Sequence, residues 1–557
     1  MLLKPLGKRL NKNRPLMGVS LKRKHLGCCG GKTRTCFGSL WGFPENPSQP
    51  SRAKHAVKDH GSTKYRITNR ACSQYARSAA ALYNRAMAGT KKRKIALLGF
   101  DREGRSTFDV IKSDPAFQDD EIWILDKKEG VQTPEGVHAA LGAGYLSALQ
   151  ELGPGDIIFR TPGMRYHAPE LARAREKGVT VTSATKLFFD RCRCPIVGVT
   201  GTKGKGTTSS LIYEILKAGG QKVFLAGNIG TPALDVLPLL DNHSIVILEL
   251  SSFQLVDLHK SPHVGVALMV TSEHLDWHPD EDDYAAAKSN IVRWQTPGDF
   301  AVIAEDYPKS RAYADVTQGS VFMFSRHRAV ARGAWAEDGF FWFSEGAPDK
   351  GGERGVGIGP KEKICPTSAL GIPGEHNWEN ACAAIAAGKI MGVPTDAIAA
   401  AIANFRGLEH RLELVAETAG GIRWYNDSYS TTPDAAIVAV EAFSAPKIMI
   451  LGGSPKGSDF AALGRAIAHS KSIRAVIGIG AEWPRIKEQI VVHENKNESV
   501  RFIENCKTMS DIIRAADDIA EPGDVVVLSP ACASFDMFKN YSERGAQFKG
   551  EIGRLKK

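Results

Sequence analysis

The segment PIVGVTGTKGKGTT, residues 195–208, decides the fold of this chain. Its first half is a short apolar run typical of a buried strand, and its second half is a glycine-rich loop that leads into the helical pattern TTSSLIYEILKAGG. Backbone N–H groups of such a loop, together with the N-terminus of the helix, can hold the phosphates of ATP, and Lys205 adds a positive charge. Gly206 stands directly after this lysine, so Thr207 or Thr208 must supply any hydroxyl ligand to Mg²⁺.

Short apolar runs alternate with longer amphipathic stretches from Lys94 onward, which is typical of βαβ units and parallel sheets. We therefore expect an α/β fold with three domains. The predicted boundaries enclose a basic extension and these three domains: 1–90, 91–193, 194–405 and 406–557. A segment rich in glycine and aromatic residues, roughly 333–370, predicts a small antiparallel addition to the second domain.

The turn after the first predicted strand, GFDREG at residues 99–104, departs from the G-x-G-x-x-G pattern of dinucleotide-binding folds. Asp101 stands where the second glycine is expected. The support for a dinucleotide site is therefore weak. The next predicted strand, EIWILD, ends at Asp126.

Positive charge is concentrated in the N-terminal extension. Residues 1–90 contain 18 Lys and Arg against only Glu45 and Asp59, whereas the rest of the chain carries 54 basic and 59 acidic residues. The net charge of +11 therefore belongs to the extension, which we expect to be disordered. Met87 lies directly before the first predicted strand, where a natural translation start is expected. Three interpretations of the extension remain open: a dispensable tail, a targeting segment and an anion-binding arm.

Composition favours a cytoplasmic enzyme. The chain is 43% apolar and 24% charged, and no stretch approaches the roughly 18 uninterrupted apolar residues of a membrane helix. The ten cysteines lack the spacing of a disulfide framework, so reduced thiols are expected. Cys192 and Cys194 could bind a metal, but no second pair or histidine follows at zinc-site spacing.

Two further strands predict metal-binding groups at the same sheet edge. The run SIVILELSSFQL places Glu249 at the carboxyl end of a buried strand, where ligands bind in open α/β sheets. The run VGVALMVTSEHLDWH places His274, Asp276 and His278 just after another strand. A carboxylate at this edge can hold Mg²⁺ near the phosphates, although a purely structural carboxylate is the alternative.

A lysine that faces the protein interior is predicted in the helix DDYAAAKSNIVRW. Tyr284, Lys288 and Ile291 recur at helical spacing on one face, which is apolar apart from the lysine. A buried lysine has a lowered pKa, and its neutral amine can capture CO₂ as a carbamate, which is an anionic metal ligand. A surface lysine whose stem covers apolar residues is the commoner alternative.

Taken together, the motifs resemble one family. These are GVTGTKGKGTT, GNIGTPALD, LELSSFQL, EHLDWH, YAAAK, GEHNWENACAA, GLEHRLE, NDSYSTTPDAA and LSPACASFDMFKNYSERG. In this order they resemble the muramyl (Mur) ligase family of bacterial peptidoglycan synthesis, and the resemblance runs from about Lys94 to Lys557. It implies a Rossmann-like UDP-binding domain, a central P-loop ATPase-type domain and a Rossmann-like C-terminal domain that binds the amino acid and closes over the site.

The resemblance implies an ADP-forming carboxylate–amine ligase that proceeds through an acyl phosphate. Its expected substrates are UDP-N-acetylmuramoyl-L-alanine and D-glutamate, and its expected cofactors are ATP and two Mg²⁺ ions. We expect a monomer that does not span a membrane or bind nucleic acid.

The resemblance also assigns roles to residues. Those expected to act in catalysis are Lys205, Lys288 and His274. Those expected to bind ATP are Gly201, Thr202, Lys203, Gly204, Lys205, Gly206, Thr207, Asn377, Asn380, Arg411 and Asp427. Those expected to bind metal are Thr207, Glu249, His274 and carbamylated Lys288. Those expected to bind the substrates are Asp126, Asn228, Ser251, Gln254, Thr431, Lys456, Ser534 and Tyr541, with Arg160–Gly163 as a second substrate loop.

One departure from the family bears on specificity. Tyr429 stands where the family commonly has lysine, which removes a cationic contact near the reaction centre. Two alternatives therefore stay open: a ligase of the same fold with another amino acid or acceptor, and a P-loop nucleotide-binding protein that acts on nucleic acid through the basic arm.

Overall fold

Three sheets, each built mainly from parallel strands, organise the described part of the chain. The computed structural model describes residues 92–228, 230–347, 359–493 and 500–555. The predicted α/β fold with parallel sheets is confirmed by the strand pairing. The basic extension predicted for residues 1–90 lies outside the described residues.

The first sheet contains five parallel strands: β1 (Lys94–Leu98), β2 (Glu121–Asp126), β3 (His138–Leu141), β4 (Ile157–Arg160) and β5 (Thr180–Thr182). Their order across the sheet is β3-β2-β1-β4-β5. Its helices are α1 (Arg102–Ser113), α2 (Pro169–Glu176) and α3 (Ala184–Arg191), with 3₁₀ turns at Pro115–Phe117 and Tyr145–Glu151. Asp101 caps α1, because its side chain accepts a hydrogen bond from the N–H of Arg102.

The second sheet contains nine strands: β6 (Ile196–Thr200), β7 (Lys222–Gly227), β8 (Ser244–Glu249), β9 (Val264–Ala267), β10 (Phe300–Ala304), β11 (Ser320–Ser325), β12 (Gly333–Glu337), β13 (Phe340–Ser344) and β14 (Lys361–Pro366). Their order is β14-β13-β12-β11-β10-β9-β6-β8-β7. Strands β12 to β14 pair antiparallel, which confirms the antiparallel addition predicted for this region. All the other pairs are parallel.

The helices of this second part are α4 (Lys205–Ala218), α5 (Ala233–Val236), α6 (Ser252–Leu255), α7 (Glu281–Arg293), α8 (Pro308–Arg311), α9 (His376–Ile390) and α10 (Thr395–Asn404). Short 3₁₀ turns lie at Leu237–Leu239, Ala312–Asp315 and Thr367–Ala369. Helix α9 is rich in alanine and buried along most of its length. A Cβ at Gly388 would lie 2.5 Å from Cγ2 of Ile215, so α9 and α4 pack too closely for a larger side chain there.

The third sheet contains six strands: β15 (Glu413–Glu417), β16 (Arg423–Asn426), β17 (Lys447–Gly452), β18 (Ile473–Ile479), β19 (Arg501–Ile503) and β20 (Val525–Leu528). Their order is β15-β16-β20-β17-β18-β19, and only β15 is antiparallel to its neighbour. Its helices are α11 (Pro433–Glu441), α12 (Ala461–Ala468), α13 (Trp483–His493), α14 (Met509–Asp517) and α15 (Tyr541–Leu555).

The central strands of the second sheet are covered on both faces, which explains why they read as unbroken apolar runs. Every residue of β6, β8 and β9 is buried. In the register, Val199 pairs with both Glu249 and Val266. The ends of these three strands therefore lie at one edge of the sheet, where ligands bind in open α/β folds.

The strands of each sheet fall within one predicted domain, at 94–182, 196–366 and 413–528. The domain boundaries themselves stay a prediction. Within the described ranges, no helix combines the length and the apolar character needed to cross a membrane.

Candidate active site

The glycine-rich loop between β6 and α4 depends on two glycines. Gly204 has φ +85°, and a Cβ there would lie 2.4 Å from Oδ1 of Asn380. A Cβ at Gly201 would lie 2.7 Å from Cβ of Leu268. Only glycine fits at either position. Because these residues have no side chains, the backbone of the loop can face the neighbouring space directly.

The two lysines of the loop have different partners. Nζ of Lys205 donates to the carbonyl oxygens of Gly201 and Thr202, each at 3.1 Å. Burial lowers the pKa of Lys205, although Glu249 opposes the shift. Lys203 is exposed and pairs with Glu273 at 2.8 Å. Lys205 is therefore the lysine held against the loop, in the position expected for phosphate contact.

Two expected ATP-binding asparagines lie next to this loop. Oγ1 of Thr208 donates to Oδ1 of Asn380 at 3.1 Å, and Nδ2 of Asn380 donates to Oδ1 of Asn377 at 2.9 Å. Nδ2 of Asn377 donates in turn to the Pro373 carbonyl at 2.6 Å. These bonds connect the start of α4 to α9. Thr207 and Gly206 are buried in the first turn of α4.

Lys288 projects from α7 into the protein beside the same loop. Its side chain is 2% exposed, and its Nζ donates to the Gly201 carbonyl at 2.9 Å and approaches Oγ1 of Thr200 at 3.4 Å. Burial lowers the pKa of Lys288 well below the ordinary value, and the positive charge of Lys205 adds to this effect. The predicted inward-facing position on the helix is confirmed, because Tyr284 and Ile291 are buried as well.

Tyr284 supports Lys288 from one turn earlier in α7. Nζ of Lys288 lies 4.7 Å from the centre of the Tyr284 ring, and the Tyr284 hydroxyl lies 3.1 Å from Oγ1 of Thr202. Burial raises the pKa of Tyr284 to about 12, so its hydroxyl stays protonated. The helix is thereby connected directly to the glycine-rich loop.

Glu249 ends β8 at the shared sheet edge and is 7% exposed. Nδ2 of Asn228 donates to its Oε1 at 3.3 Å, so this expected substrate residue contacts the expected metal ligand. Ser251 and Gln254 form a capping box at the start of α6, in which the Gln254 side chain accepts from the N–H of Ser251 at 3.0 Å. These two residues fix the turn that follows Glu249.

His274 lies in the loop after β9 with a positive φ of 60°, a conformation that is uncommon for histidine. Burial lowers the pKa of His274, although the negative charge of Glu273 opposes this shift. The backbone N–H groups of Trp277 and His278 both donate to the His274 carbonyl at 2.9 Å, which closes a tight turn. The centre of the imidazole ring lies 4.8 Å from that of Phe253 and 6.4 Å from that of Tyr284.

His278 anchors that turn. Its side chain is fully buried, with Nδ1 2.6 Å from Oδ2 of Asp283 and Nε2 2.9 Å from Oγ of Ser252. These are the partners of a hydrolytic triad, but Ser252 is only 1% exposed, so no substrate can reach its hydroxyl. The arrangement instead connects α6, the His274 turn and α7.

These side chains fit a divalent cation. Glu249 offers a carboxylate, His274 an imidazole and Thr207 a hydroxyl, and Lys288 would offer oxygen atoms once carbamylated. Two neighbouring lysine ammonium groups repel each other, so converting one to an anion would relieve this repulsion. Among the His, Cys, Asp and Glu side chains of the described residues, three ligand atoms lie within 4.8 Å of one another only at Glu409, His410 and Glu413, where Lys549 pairs with both glutamates.

The third sheet contributes Asp427 and Arg411. Asp427 is 2% exposed, and its carboxylate accepts from the N–H of Leu412 at 3.1 Å and from the hydroxyls of Ser430 and Ser529. Burial raises the pKa of Asp427 to about 6, while these hydrogen bonds and Arg411 act to lower it. The positive charge of Arg411 also acts to lower the pKa of Lys205 in the glycine-rich loop.

The residues expected to bind the amino acid lie at strand ends of the third sheet. Nζ of Lys456 is 3.5 Å from Oγ1 of Thr431, and both follow strands of this sheet. Ser534 is buried after β20, and Tyr541 begins α15. The rings of Tyr541 and Tyr429 pack edge to face at 5.1 Å. Tyr429 therefore fills the position of the family lysine with a half-exposed aromatic ring.

Arg544 is a structural residue of this region that sequence reasoning missed. Its side chain is fully buried, and its guanidinium donates to Oγ and the carbonyl of Ser428 at 2.9 Å and to the carbonyls of Cys532 and Ala533. It holds together the loops that carry Asp427 and Ser534. Its place in the motif FKNYSERG is the sequence signal that could have indicated it.

The expected substrate residues of the first sheet also make hydrogen bonds within the protein. The Asp126 carboxylate accepts from the N–H of Phe100 at 2.8 Å and of Lys128 at 2.9 Å. Arg160 is 2% exposed and donates to the Phe253 carbonyl at 2.9 Å and to Asp257 at 3.0 Å, which ties the first sheet to α6 and the loop behind it.

A small cavity remains at the carboxyl ends of β1 and β4, between Gly99, Glu103 and Thr161. Burial raises the pKa of Glu103 to about 7, although Arg160 opposes this shift. The cavity lies at the edge of the first sheet where a ligand is expected in an open α/β fold.

Comparison with known proteins gives a consistent result. One family model, described as Mur ligase middle domain, matches residues 199–388, and a second, described as Mur ligase, glutamate ligase domain, matches residues 410–532. The UDP-N-acetylmuramoylalanine--D-glutamate ligase of Symbiobacterium thermophilum is 38% identical over 424 residues, which are 75% of this chain and 88% of that protein. The protein of the same name from Pelotomaculum thermopropionicum is 35% identical and covers 84% of this chain and 98% of its own length.

A solved structure shares the fold. The UDP-N-acetylmuramate-alanine ligase MurC of Thermotoga maritima is 17% identical and superposes with a TM-score of 0.50. The match covers 83% of this chain and 100% of that one.

Proposed function

Because the chain belongs to the Mur ligase family, we propose that it joins D-glutamate to UDP-N-acetylmuramoyl-L-alanine at the expense of ATP, in the synthesis of peptidoglycan precursors. The observation that carries the proposal is the position of Lys288, buried against the loop that would hold the ATP phosphates. A protein that binds a nucleotide but does not activate a carboxylate has no need for a buried amine beside the glycine-rich loop.

The first step is attack on ATP. A carboxylate oxygen of the muramoyl-alanine bonds to the γ-phosphorus, the bond from this phosphorus to the β,γ-bridging oxygen breaks, and ADP leaves an acyl phosphate behind. Lys205 and the N–H groups of the loop offset the repulsion between the two anions. Asn377 and Asn380 bind the nucleotide, and Arg411 and Asp427 approach it from the C-terminal part.

The metal ligands in this proposal are Thr207, Glu249, His274 and a carbamate formed from the Lys288 amine and CO₂. Two Mg²⁺ ions, when bound there, supply charge neutralisation and polarise the transferred phosphoryl group. Neutral Lys288 is the form that can react with CO₂, and its lowered pKa provides that form. Asn228 holds Glu249, and the His278 contacts hold the turn of His274.

The second step forms the amide. The neutral amine of D-glutamate attacks the acyl carbon, phosphate leaves, and the amine loses its extra proton to the departing phosphate or to solvent. Lys456, Thr431, Ser534 and the backbone near Tyr541 bind the two carboxylates of the amino acid. Closure of the third domain over the site excludes water, which protects the acyl phosphate.

Transfer of oxygen tests the acyl phosphate. UDP-N-acetylmuramoyl-L-alanine labelled with ¹⁸O in its carboxylate should yield phosphate that contains one ¹⁸O atom for each amide formed. If the labelled oxygen lost from the carboxylate were found in water or in AMP and not in phosphate, the acyl phosphate would be excluded.

A ligase of the same fold with another amino acid is the second candidate, and Tyr429 is the observation that favours it. A neutral ring replaces a cationic side chain beside Tyr541, which weakens the attraction for a second carboxylate. Turnover with several amino acids separates the two candidates.

A further inference from the structure

Two cysteines outside the proposed active site have their sulfur atoms in contact. Sγ of Cys192 and Sγ of Cys194 lie 3.5 Å apart. Both residues belong to the short connection between α3, which ends at Arg191, and β6, which begins at Ile196. The N–H of Cys192 donates to the Phe188 carbonyl at 2.8 Å, so its backbone is fixed as the cap of α3.

The pair does not fit a zinc site. Structural zinc requires four ligands, and the chain must bring at least two more donors near the thiols. In residues 92–228, 230–347, 359–493 and 500–555, no group of three metal-ligating side chains includes either cysteine. The geometry instead matches a dithiol, because the two sulfur atoms need to approach by only about 1.5 Å to reach a disulfide bond length.

The two thiols differ in access. Cys192 is half-buried, whereas Cys194 is 7% exposed and packs in the apolar cluster with Ile196. The hydrogen bond between the two thiols lowers the pKa of Cys192, and the same contact together with burial raises the pKa of Cys194. An incoming reagent therefore reacts first with Cys192, which is the nucleophile, and Cys194 reacts only in a second step.

We propose that Cys192 and Cys194 form a thiol–disulfide exchange site that reacts with small disulfides and closes to an internal disulfide. The Cys192 thiolate attacks one sulfur atom of the small disulfide, which forms a mixed disulfide and releases one small thiol. The Cys194 sulfur then attacks Sγ of Cys192, and the second small thiol leaves. Two electrons pass to the small disulfide, and the two thiol protons of the protein end on the two released thiols.

Formation of this disulfide would affect the connection in which the two cysteines lie. The connection joins the first sheet to β6, and β6 leads directly into the glycine-rich loop. An internal disulfide would close a ring around Arg193 and stiffen the connection between the two parts of the protein. The inference is independent of the proposed ligase activity, because among the described residues no hydrogen bond joins either thiol to a residue of the proposed active site.

The test uses the full chain and glutathione disulfide. After exposure and trapping of free thiols, cleavage after lysine releases residues 187–203, which contain only these two cysteines. We expect this peptide to lose two hydrogen atoms in mass. Further cleavage after arginine cuts behind Arg191 and Arg193, and it should leave residues 192–193 joined to residues 194–203 until a reductant such as dithiothreitol is added.

Two variants and a control separate the roles. Cys194→Ser should stop at a mixed disulfide on Cys192, and Cys192→Ser should leave the peptide unmodified. Cys506 is the matched control, because it is also half-buried and burial raises its pKa. We expect Cys192 to react at least about tenfold faster than Cys506. Two free thiols in residues 187–203 under conditions that modify Cys506, or unchanged reactivity of Cys192→Ser, would overturn the proposal.

Discussion

Nζ of Lys288 lies 2.9 Å from the carbonyl oxygen of Gly201, so a helix more than eighty residues along the chain places a buried amine on the loop proposed to hold ATP. The amine is 2% exposed and has Lys205 as a cationic neighbour. A permanent ammonium group at this point would be strongly disfavoured. We propose that this amine is neutral in the empty site and becomes a carbamate for metal binding, which would explain why a lysine lies there.

Replacing Lys288 tests this explanation. Lys288→Ala should reduce kcat by at least about a hundredfold, because the anionic metal ligand is lost. A short carboxylate such as formate should restore part of the activity by occupying the vacated space. Lys288→Arg is the matched control, since its side chain stays cationic, cannot form a carbamate and leaves no space for the carboxylate. Full activity of Lys288→Ala without added carboxylate would remove Lys288 from the mechanism.

His278 should act as a positioning residue. His278→Ala removes the contacts to Ser252 and Asp283, so the turn of His274 should lose its fixed geometry. We expect kcat to fall on the order of tenfold to a hundredfold, with a smaller change in the KM for D-glutamate. His259→Ala, at an exposed histidine, is the control. Equal kinetics of the two variants across the pH range would show that the His278 contacts do not serve catalysis.

The pKa of Glu379 predicts a pH-dependent stability. Burial raises this pKa from 4.5 to about 7, while the Tyr307 hydroxyl donates to the carboxylate at 2.8 Å. The folded protein therefore keeps the proton between pH 4.5 and 7, whereas the unfolded chain releases it. Below pH 4.5 the raised pKa adds up to about 3 kcal/mol to the free energy of unfolding, and this contribution is lost as the pH rises toward 7.

Denaturant unfolding of Glu379→Gln checks this effect. The stability of the variant relative to the wild type should increase as the pH rises from 4.5 to 7, because glutamine does not titrate. Glu375→Gln, at an exposed position on the preceding turn, is the matched control. A constant difference between Glu379→Gln and the wild type across this range would contradict the raised pKa.

Lys456 should bind the amino acid and not ATP. Its Nζ lies near Thr431 at 3.5 Å, at an exposed edge of the third sheet. Lys456→Ala should raise the KM for D-glutamate about tenfold and leave ATP binding to the free enzyme unchanged. Lys471→Ala changes another exposed lysine, in the turn before β18, and provides the comparison. If the KM for ATP rose in place of the KM for the amino acid, Lys456 would belong to the nucleotide site.

Local patterns predicted most of the framework. The strand from 196 to 200, the glycine-rich loop and helix α4 follow from apolar runs and glycine spacing, and the buried face of α7 follows from helical periodicity. Glu249 was placed correctly at a strand end because fully buried strands read as unbroken apolar runs. These features depend on residues that are close together in sequence.

Contacts between distant segments could not be predicted in this way. Ser252 and His278 lie 26 residues apart, and Arg160 and Asp257 lie 97 apart, so no local pattern indicates that they meet. Nor does a local pattern show that the Asp126 carboxylate, assigned to the substrate by resemblance, also accepts hydrogen bonds from two backbone N–H groups. Which side chains support the fold and which face a ligand is decided by packing that the sequence pattern does not show.

Amino-acid-dependent release of ADP tests the central claim most directly. Purified protein would be supplied with ATP, Mg²⁺ and UDP-N-acetylmuramoyl-L-alanine, and ADP release would be measured with a panel of D- and L-amino acids. The account predicts rapid release with D-glutamate, little with L-glutamate or other amino acids, and none when the muramoyl substrate is omitted. Efficient release with a different amino acid, or no release with D-glutamate, would contradict it.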